Sequence, residues 1–267
     1  MKRVVFLSTI LLTISTCVFA QNFEVAPIRL NFHNDAGETE TRIITVKNHG
    51  NSRENITMTM RDYVVHRRGN RETLPSGSTQ NSISDWVTLN PSFLELQPNE
   101  EQEVEVTFQA PVDDDHPAKW GILSFATAAE RTAYAADDEV QTGIFISGRV
   151  DTRLMYNPPI DQDPNMVISN LREVTNEEDE ERVFAVDIDN LGYTIARSEL
   201  FLIASSLQTA DETRFPDRNI TAYPQSSREI RLTLPDELEP GSYSLAAILD
   251  YGSRTNLKGT QITIEVE

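Results

Sequence analysis

The chain has 267 residues, of which 42 are acidic and 23 basic, giving a net charge of −19. Such a field repels nucleic acid and anionic lipid surfaces, and a single cysteine, Cys17, leaves no partner for a disulfide within the chain. The length suits two domains of ordinary size.

Residues 1–20 read as a secretory signal peptide. Lys2 and Arg3 give a basic start, an apolar run follows, and Val18-Phe19-Ala20 matches a small-residue cleavage site before Gln21. The apolar run is too short for a membrane span of roughly 20 residues. A lipid anchor on Cys17 fits poorly with Ile14-Ser15-Thr16 before it. No later segment is long and apolar enough to span a membrane, so the mature protein is expected to be soluble; the leader sends it outside the cytoplasm, to the periplasm or, alternatively, the cell surface.

Period-two alternation then dominates, which predicts strands. Phe23 and Val25 share one face; after Pro27 the apolar positions become Ile28, Leu30 and Phe32. A strand that changes phase at a proline is expected to sit at an edge and cross between two sheets. Arg29 should then point away from the core that Ile28 and Leu30 enter. A turn at 34–37 precedes a strand over 41–48, and Asn48-His49-Gly50-Asn51 turns the chain again. Ile56, Met58 and Met60 alternate. Residues 66–81 are polar and glycine-bearing and read as a loop. Short strands over 86–89 and 93–96 flank Asn90-Pro91, and Val104, Val106 and Phe108 alternate strictly. The acidic turn Asp113-Asp114-Asp115-His116 lacks the spacing of a calcium loop and reads as solvated. A strand over 120–126 leads to an alanine-rich acidic stretch, 128–139, that suits a short helix or a loop.

Residues 140–156 form the longest alternating segment. Ile144, Ile146, Val150, Thr152, Leu154 and Tyr156 share one parity, and Phe145, Arg149, Asp151 and Arg153 the other. Seventeen residues would span roughly 55 Å as one strand, so a kink is expected near Gly148. Prolines 158, 159 and 164 then mark a stiff linker. The second half repeats the style, with alternating runs around 167–174, 184–188, 200–202, 230–234, 243–251 and 262–266, a loop over 206–219, and a solvated charge run at 176–181. About seven short strands in each half predict an all-β chain of two immunoglobulin-like sandwiches in tandem, over residues 21–158 and 166–267 with a linker at 159–165.

No enzyme signature is present: there is no nucleophile elbow, no zinc-protease helix and no phosphate-cradling glycine loop. The four histidines, at 33, 49, 66 and 116, lack metal-ligand spacing. A non-enzymatic protein without metal or cofactor is expected. A carbohydrate-binding module is disfavoured, because Trp86 and Trp120 both sit where core tryptophans are expected.

The order Val25-Ala26-Pro27-Ile28-Arg29-Leu30, then Val46-Lys47-Asn48, then Trp86 to Phe93, then Leu96-Gln97-Pro98-Asn99-Glu100, then Trp120-Gly121 and Leu154-Met155-Tyr156-Asn157-Pro158, resembles the N-terminal domain of periplasmic pilus-assembly (PapD-like) chaperones. The resemblance covers residues 22–159. It implies a pair of sandwiches that complete a strand-deficient subunit by lending the long last strand of the first domain. Ile144, Phe145, Ile146 and Val150 would belong to that edge strand, although its outward parity here also carries Gln141, Gly143 and Ser147. The resemblance further implies that an arginine of the first strand and a basic residue of the last hold the subunit's terminal carboxylate. Arg29 fits the first role. The second position falls near Asp151, flanked by Arg149 and Arg153; a paired-arginine clamp suits carboxylate geometry. The alternative is an ordinary ladder of surface charges along paired strands. The partners implied are protein subunits exported to the periplasm or cell surface, and an outer-membrane assembly protein. The competing function is an extracytoplasmic structural or adhesive accessory that caps no subunit.

Overall fold

The computed structural model describes residues 23–112, 117–127, 148–159, 165–235, 237–252 and 257–267. The leader, the acidic turn at 113–116, the stretch 128–139, most of the linker, and Ile144, Phe145 and Ile146 lie outside the described residues.

In the first half the strands are β1 (Phe23–Ala26), β2 (Arg29–Phe32), β3 (Thr39–Asn48), β4 (Glu54–Val65), β5 (Arg71–Pro75), β6 (Val87–Asn90), β7 (Phe93–Leu96), β8 (Glu101–Gln109), β9 (Lys119–Thr127) and β10 (Arg149–Tyr156). One sheet has the order β1-β3-β8-β6; the other runs β2-β10-β9-β4-β5, with β7 also on β4. The chain breaks at Pro27 between these sheets, so β1 pairs with β3 while β2 pairs with β10. The expected crossing strand is therefore present. The phase change is not quite the one read from the sequence: Leu30 and Phe32 are buried, but Ile28 is 58% exposed. Ile28 lies in the two-residue link between β1 and β2, before sheet geometry imposes alternation.

The inward parity of these strands meets in one apolar core. At its centre Phe108 stacks on Phe32 and on Tyr156, each with ring centroids 4.8 Å apart, and Trp86 closes edge-on against Phe108 and Tyr156. Phe32 and Tyr156 are register partners in the parallel β2–β10 pair. The aromatic stack thus pins the register of that pair.

The second half contains β11 (Met166–Glu173), β12 (Arg182–Asn190), β13 (Ala196–Ser206), β14 (Glu212–Arg214), β15 (Arg218–Ala222), β16 (Ser226–Leu234), β17 (Gly241–Asp250) and β18 (Lys258–Val266). Its sheets run β11-β12-β16 and β14-β13-β17-β18, with β15 also on β13, and a second apolar core lies between them. The architecture is two β-sandwiches in tandem. Both halves use one corner device. Asn48 and Asn190 are fully buried at strand ends. Asn48 donates to the carbonyls of Ser52, Leu96 and Gln97 and accepts from the Gly50 amide. Asn190 donates to those of Thr194 and Ala222 and accepts from the Gly192 amide. A buried amide that satisfies several backbone groups locks the turn beside it.

Two stretches expected to be loops hold strands. Residues 71–75 form a hairpin with β4, and 206–219 contains β14 and the start of β15. Their sequences are polar because one face of each is exposed, which hides the alternation.

The outer face of the β10–β9–β4 sheet also meets the second half. Tyr63, Ala118, Trp120, Ile122 and Met155 form a third buried cluster with Ile195 and Tyr223. The Tyr63 and Tyr223 hydroxyls lie 2.6 Å apart, and the Trp120 indole donates to the Tyr63 carbonyl at 3.0 Å. Burial, with the Tyr223 hydroxyl alongside, pushes the Tyr63 phenol up. The Asn157 side chain imitates a strand: it donates to the Ile195 carbonyl at 2.9 Å and accepts from the Ile195 amide at 2.8 Å. Aromatics of this size remove roughly 150–250 Å² each from water on burial, so this junction is a substantial apolar contact.

Candidate functional site

Arg29 and Arg153 are direct register partners in the parallel β2–β10 pair, and the Arg153 amide donates to the Ile28 carbonyl at 3.0 Å. The reason is alternation. Leu30, Phe32, Leu154 and Tyr156 enter the first core, so Arg29 and Arg153 fall on the opposite face. That face looks into a cleft of about 430 Å³ between the two halves.

Four further arginines line the same cleft: Arg71 of β5, Arg197 of β13, Arg218 of β15 and Arg228 of β16. No carboxylate lines it among the described residues, although the chain as a whole is strongly acidic. Every ion pair recorded among the described residues uses other cations. The cleft arginines are oriented instead by neutral groups. The Arg71 guanidinium lies 5.0 Å from the centre of the Tyr63 ring. Arg197 donates to the Asn31 side-chain oxygen at 2.5 Å, Arg218 to the Arg231 carbonyl at 2.5 Å, and Arg228 to the Thr221 carbonyl at 3.1 Å. The Nε atoms of Arg29 and Arg228 are buried with no hydrogen-bond partner. Burial, and then the charges of Arg29 and Arg71, push the Arg153 guanidinium below its usual value; burial and Arg218 do the same to Arg228. Guanidinium groups stay protonated at neutral pH regardless, so the cleft is a concentrated positive field inside a negative molecule. Neutral acceptors fix Arg197, Arg218 and Arg228 without cancelling their charge. Chemically, such an arrangement suits an anion.

Arg149 belongs elsewhere. It pairs with Asp151 at 3.1 Å, and Asp151 also accepts from the Ser124 hydroxyl at 2.7 Å. That part of β10 is a surface charge ladder, and Arg149 does not line the cleft. Val150 packs, partly buried, against the first core. β2 covers β10 only from Arg153 to Tyr156, so residues 149–152 extend past it with no second strand on that side among the described residues.

One wall of the cleft is the β4–β5 hairpin. Its turn reaches the second sandwich: the Glu229 amide donates to the Arg67 carbonyl at 2.8 Å, and Arg67 pairs with Asp187 at 2.8 Å. Asp187 also lies 3.7 Å from Arg172, which pairs with Glu229 at 2.5 Å. Burial opposes ionisation of Asp187, but the hydrogen bond from Asn170 and the charges of Arg67 and Arg172 outweigh it and hold the carboxyl below its usual range. Gly69 sits in the turn with φ +88°, a left-handed conformation that side chains rarely adopt, and a Cβ there would lie 2.7 Å from an Arg228 terminal nitrogen.

Of the three arginines expected as an anchor, Arg29 and Arg153 line the cleft and Arg149 does not. Arg71, Arg197, Arg218 and Arg228 were not read as site residues. Two of them carry a signal. Arg218 continues the parity of Ile220 and Ala222, and Arg228 that of Ile230 and Leu232. Each puts a cation on the core parity at a strand end. No group of three or more side chains suited to a metal ion occurs among the described residues, and no helix there is long and apolar enough to cross a membrane.

No family model matches the chain, and no curated protein matches it. Solved structures do. A chain of the chaperone–tip-adhesin complex of CFA/I fimbriae matches with 12% identity over 92% of this chain and 100% of the other, at a TM-score of 0.48. The class 5 fimbriae chaperone CfaA matches with 13% identity, the same coverage and a TM-score of 0.46. The CsuC–CsuE chaperone–tip adhesion subunit pre-assembly complex of Acinetobacter baumannii matches with 11% identity over 91% of this chain and 97% of the other, at 0.46. The chain is thus similar, over most of its length, to fimbrial chaperone structures.

Proposed function

We propose that this protein is a non-enzymatic periplasmic chaperone that caps exported subunits by strand addition along β10, with the subunit's terminal carboxylate held between Arg29 and Arg153. The observation that carries the reading is the register pairing of these two arginines at the mouth of a cleft that holds no carboxylate among the described residues. Guanidinium forks bind carboxylates bidentately, and such an anchor sets the register of a strand added to the neighbouring edge. The uncovered edge of β10 at residues 149–152 lies directly beside the anchor. Arg153 takes the second role in this reading because Asp151 occupies Arg149. Of the partners implied by the sequence, exported protein subunits fit this geometry; an outer-membrane assembly protein would receive the capped subunit.

The test is co-purification from periplasm with the wild type, Arg29→Ala, Arg153→Ala and Arg149→Ala. The first two variants are expected to lose bound subunits at least tenfold while Arg149→Ala retains them. Equal recovery by all four overturns the anchor.

A further inference from the structure

A single terminal carboxylate occupies two guanidinium forks at most, and the cleft contains six. The four that a terminal carboxylate between Arg29 and Arg153 would leave over are not neutralised by any carboxylate among the described residues. Arg218 and Arg228 are the most telling. They sit on the core parity of their strands, above Ile220 and Ile230, which line the same cleft. Each spends one terminal nitrogen on a backbone carbonyl, which fixes the guanidinium and leaves its other donors for a ligand. The buried Nε of Arg228 has no partner. Holding the partly buried Arg228 on a core-facing position beside Arg218 is unfavourable without an anion to answer it. The repulsion therefore points to a ligand with more than one negative charge.

We infer that the cleft selects peptide termini that carry a second carboxylate. The α-carboxylate sits at Arg29 and Arg153 of the first sandwich, and an acidic side chain close to the terminus sits at Arg218 and Arg228 of the second. The inference rests on the anchor proposed above and adds the chemistry of the partner. Because the two carboxylates would be held by different sandwiches, a ligand with both would bridge the halves, whereas one with only the terminal group would engage the first. The acidic exterior of the protein adds selectivity of a second kind, since an extended acidic ligand is repelled everywhere except in the cleft.

Titration calorimetry on the purified protein tests this with six-residue peptides of neutral side chains, with or without glutamate at the penultimate position, each as free acid and as C-terminal amide. The glutamate free acid is expected to bind about tenfold tighter than the neutral free acid, an advantage that shrinks as salt rises. Arg218→Gln, at an exposed strand end, and Arg228→Gln should each erase that advantage and leave the neutral free acid within about twofold of wild type; circular dichroism confirms that both variants fold. If glutamate adds nothing, the two-carboxylate inference is overturned while the terminal anchor stands. If the free acids bind no better than the amides, the anchor falls as well. If inorganic triphosphate displaces the glutamate peptide at equal or lower concentration, the cleft is a site for free polyanions and the inference is overturned.

Discussion

Two groups of arginines meet at the junction of the sandwiches, and they are treated in opposite ways. Arg67 and Arg172 face Asp187 and Glu229, so their charges are cancelled in place and the β4–β5 hairpin is tied to β12 and β16. Arg29, Arg153, Arg218 and Arg228 lie nearby with no carboxylate partner among the described residues. The first group holds the halves together. The second is charge that, in the proposed reading, a bound carboxylate would answer. Folding alone would favour the first arrangement everywhere, since a buried cation is costly unless paired. An unneutralised set beside a neutralised one is the feature on which the proposed anchor rests.

The contrast breaks most visibly at Asp187. Asp187→Ala should leave Arg67 and Arg172 without their shared partner and lower stability by about 2 kcal/mol, the scale of a hydrogen-bonded charge pair, read as an earlier urea midpoint. The same contact makes stability depend on pH. Because the folded-state pKa of Asp187 lies below its unfolded value, its contribution is complete above the ordinary carboxylate range near pH 4 and is lost as pH falls through the lowered value. The acid limb of a pH–stability curve should flatten in Asp187→Ala. Tyr63→Phe removes the hydroxyl pair with Tyr223 inside the junction and should cost about 1 kcal/mol, without changing capture of subunits. Arg149→Ala breaks an exposed pair with Asp151; a loss of about 0–1 kcal/mol is expected, again with capture intact. Smallest in stability is Arg153→Gln, which relieves repulsion from Arg29 and Arg71. Its melting temperature should stay level or rise slightly even as capture falls. If Arg153→Gln instead destabilises the protein as much as Asp187→Ala, the cleft arginines are structural and the contrast drawn here collapses.

Much of this was legible in the chain. Alternation around Phe23–Val25 and Leu30–Phe32 located the crossing at Pro27, and the parity of Leu154 and Tyr156 turned Arg153 outward. The β4–β5 hairpin was not legible, because residues 71–75 carry charges where an exposed edge strand tolerates them. Ile28 was misplaced because alternation was extended into a link that no sheet enforces. The unread half of the cleft had a different cause: Arg71, Arg197, Arg218 and Arg228 come from four separate strands, and local pattern says nothing about which strand ends face one another.

The sequence by itself determined most of the core strands, which face of each is apolar, and that Arg29 stands outside the core, because these follow from the two-residue period of the backbone. Only the tertiary structure decided that Asp151 pairs with Arg149 and not with Arg153, and that six arginines of two sandwiches share one cleft. Both depend on how sheets stack and on where the second half docks against Tyr63 and Trp120. Charge becomes a site when distant strands bring it together, and the contacts that do so are absent from any local stretch of the chain.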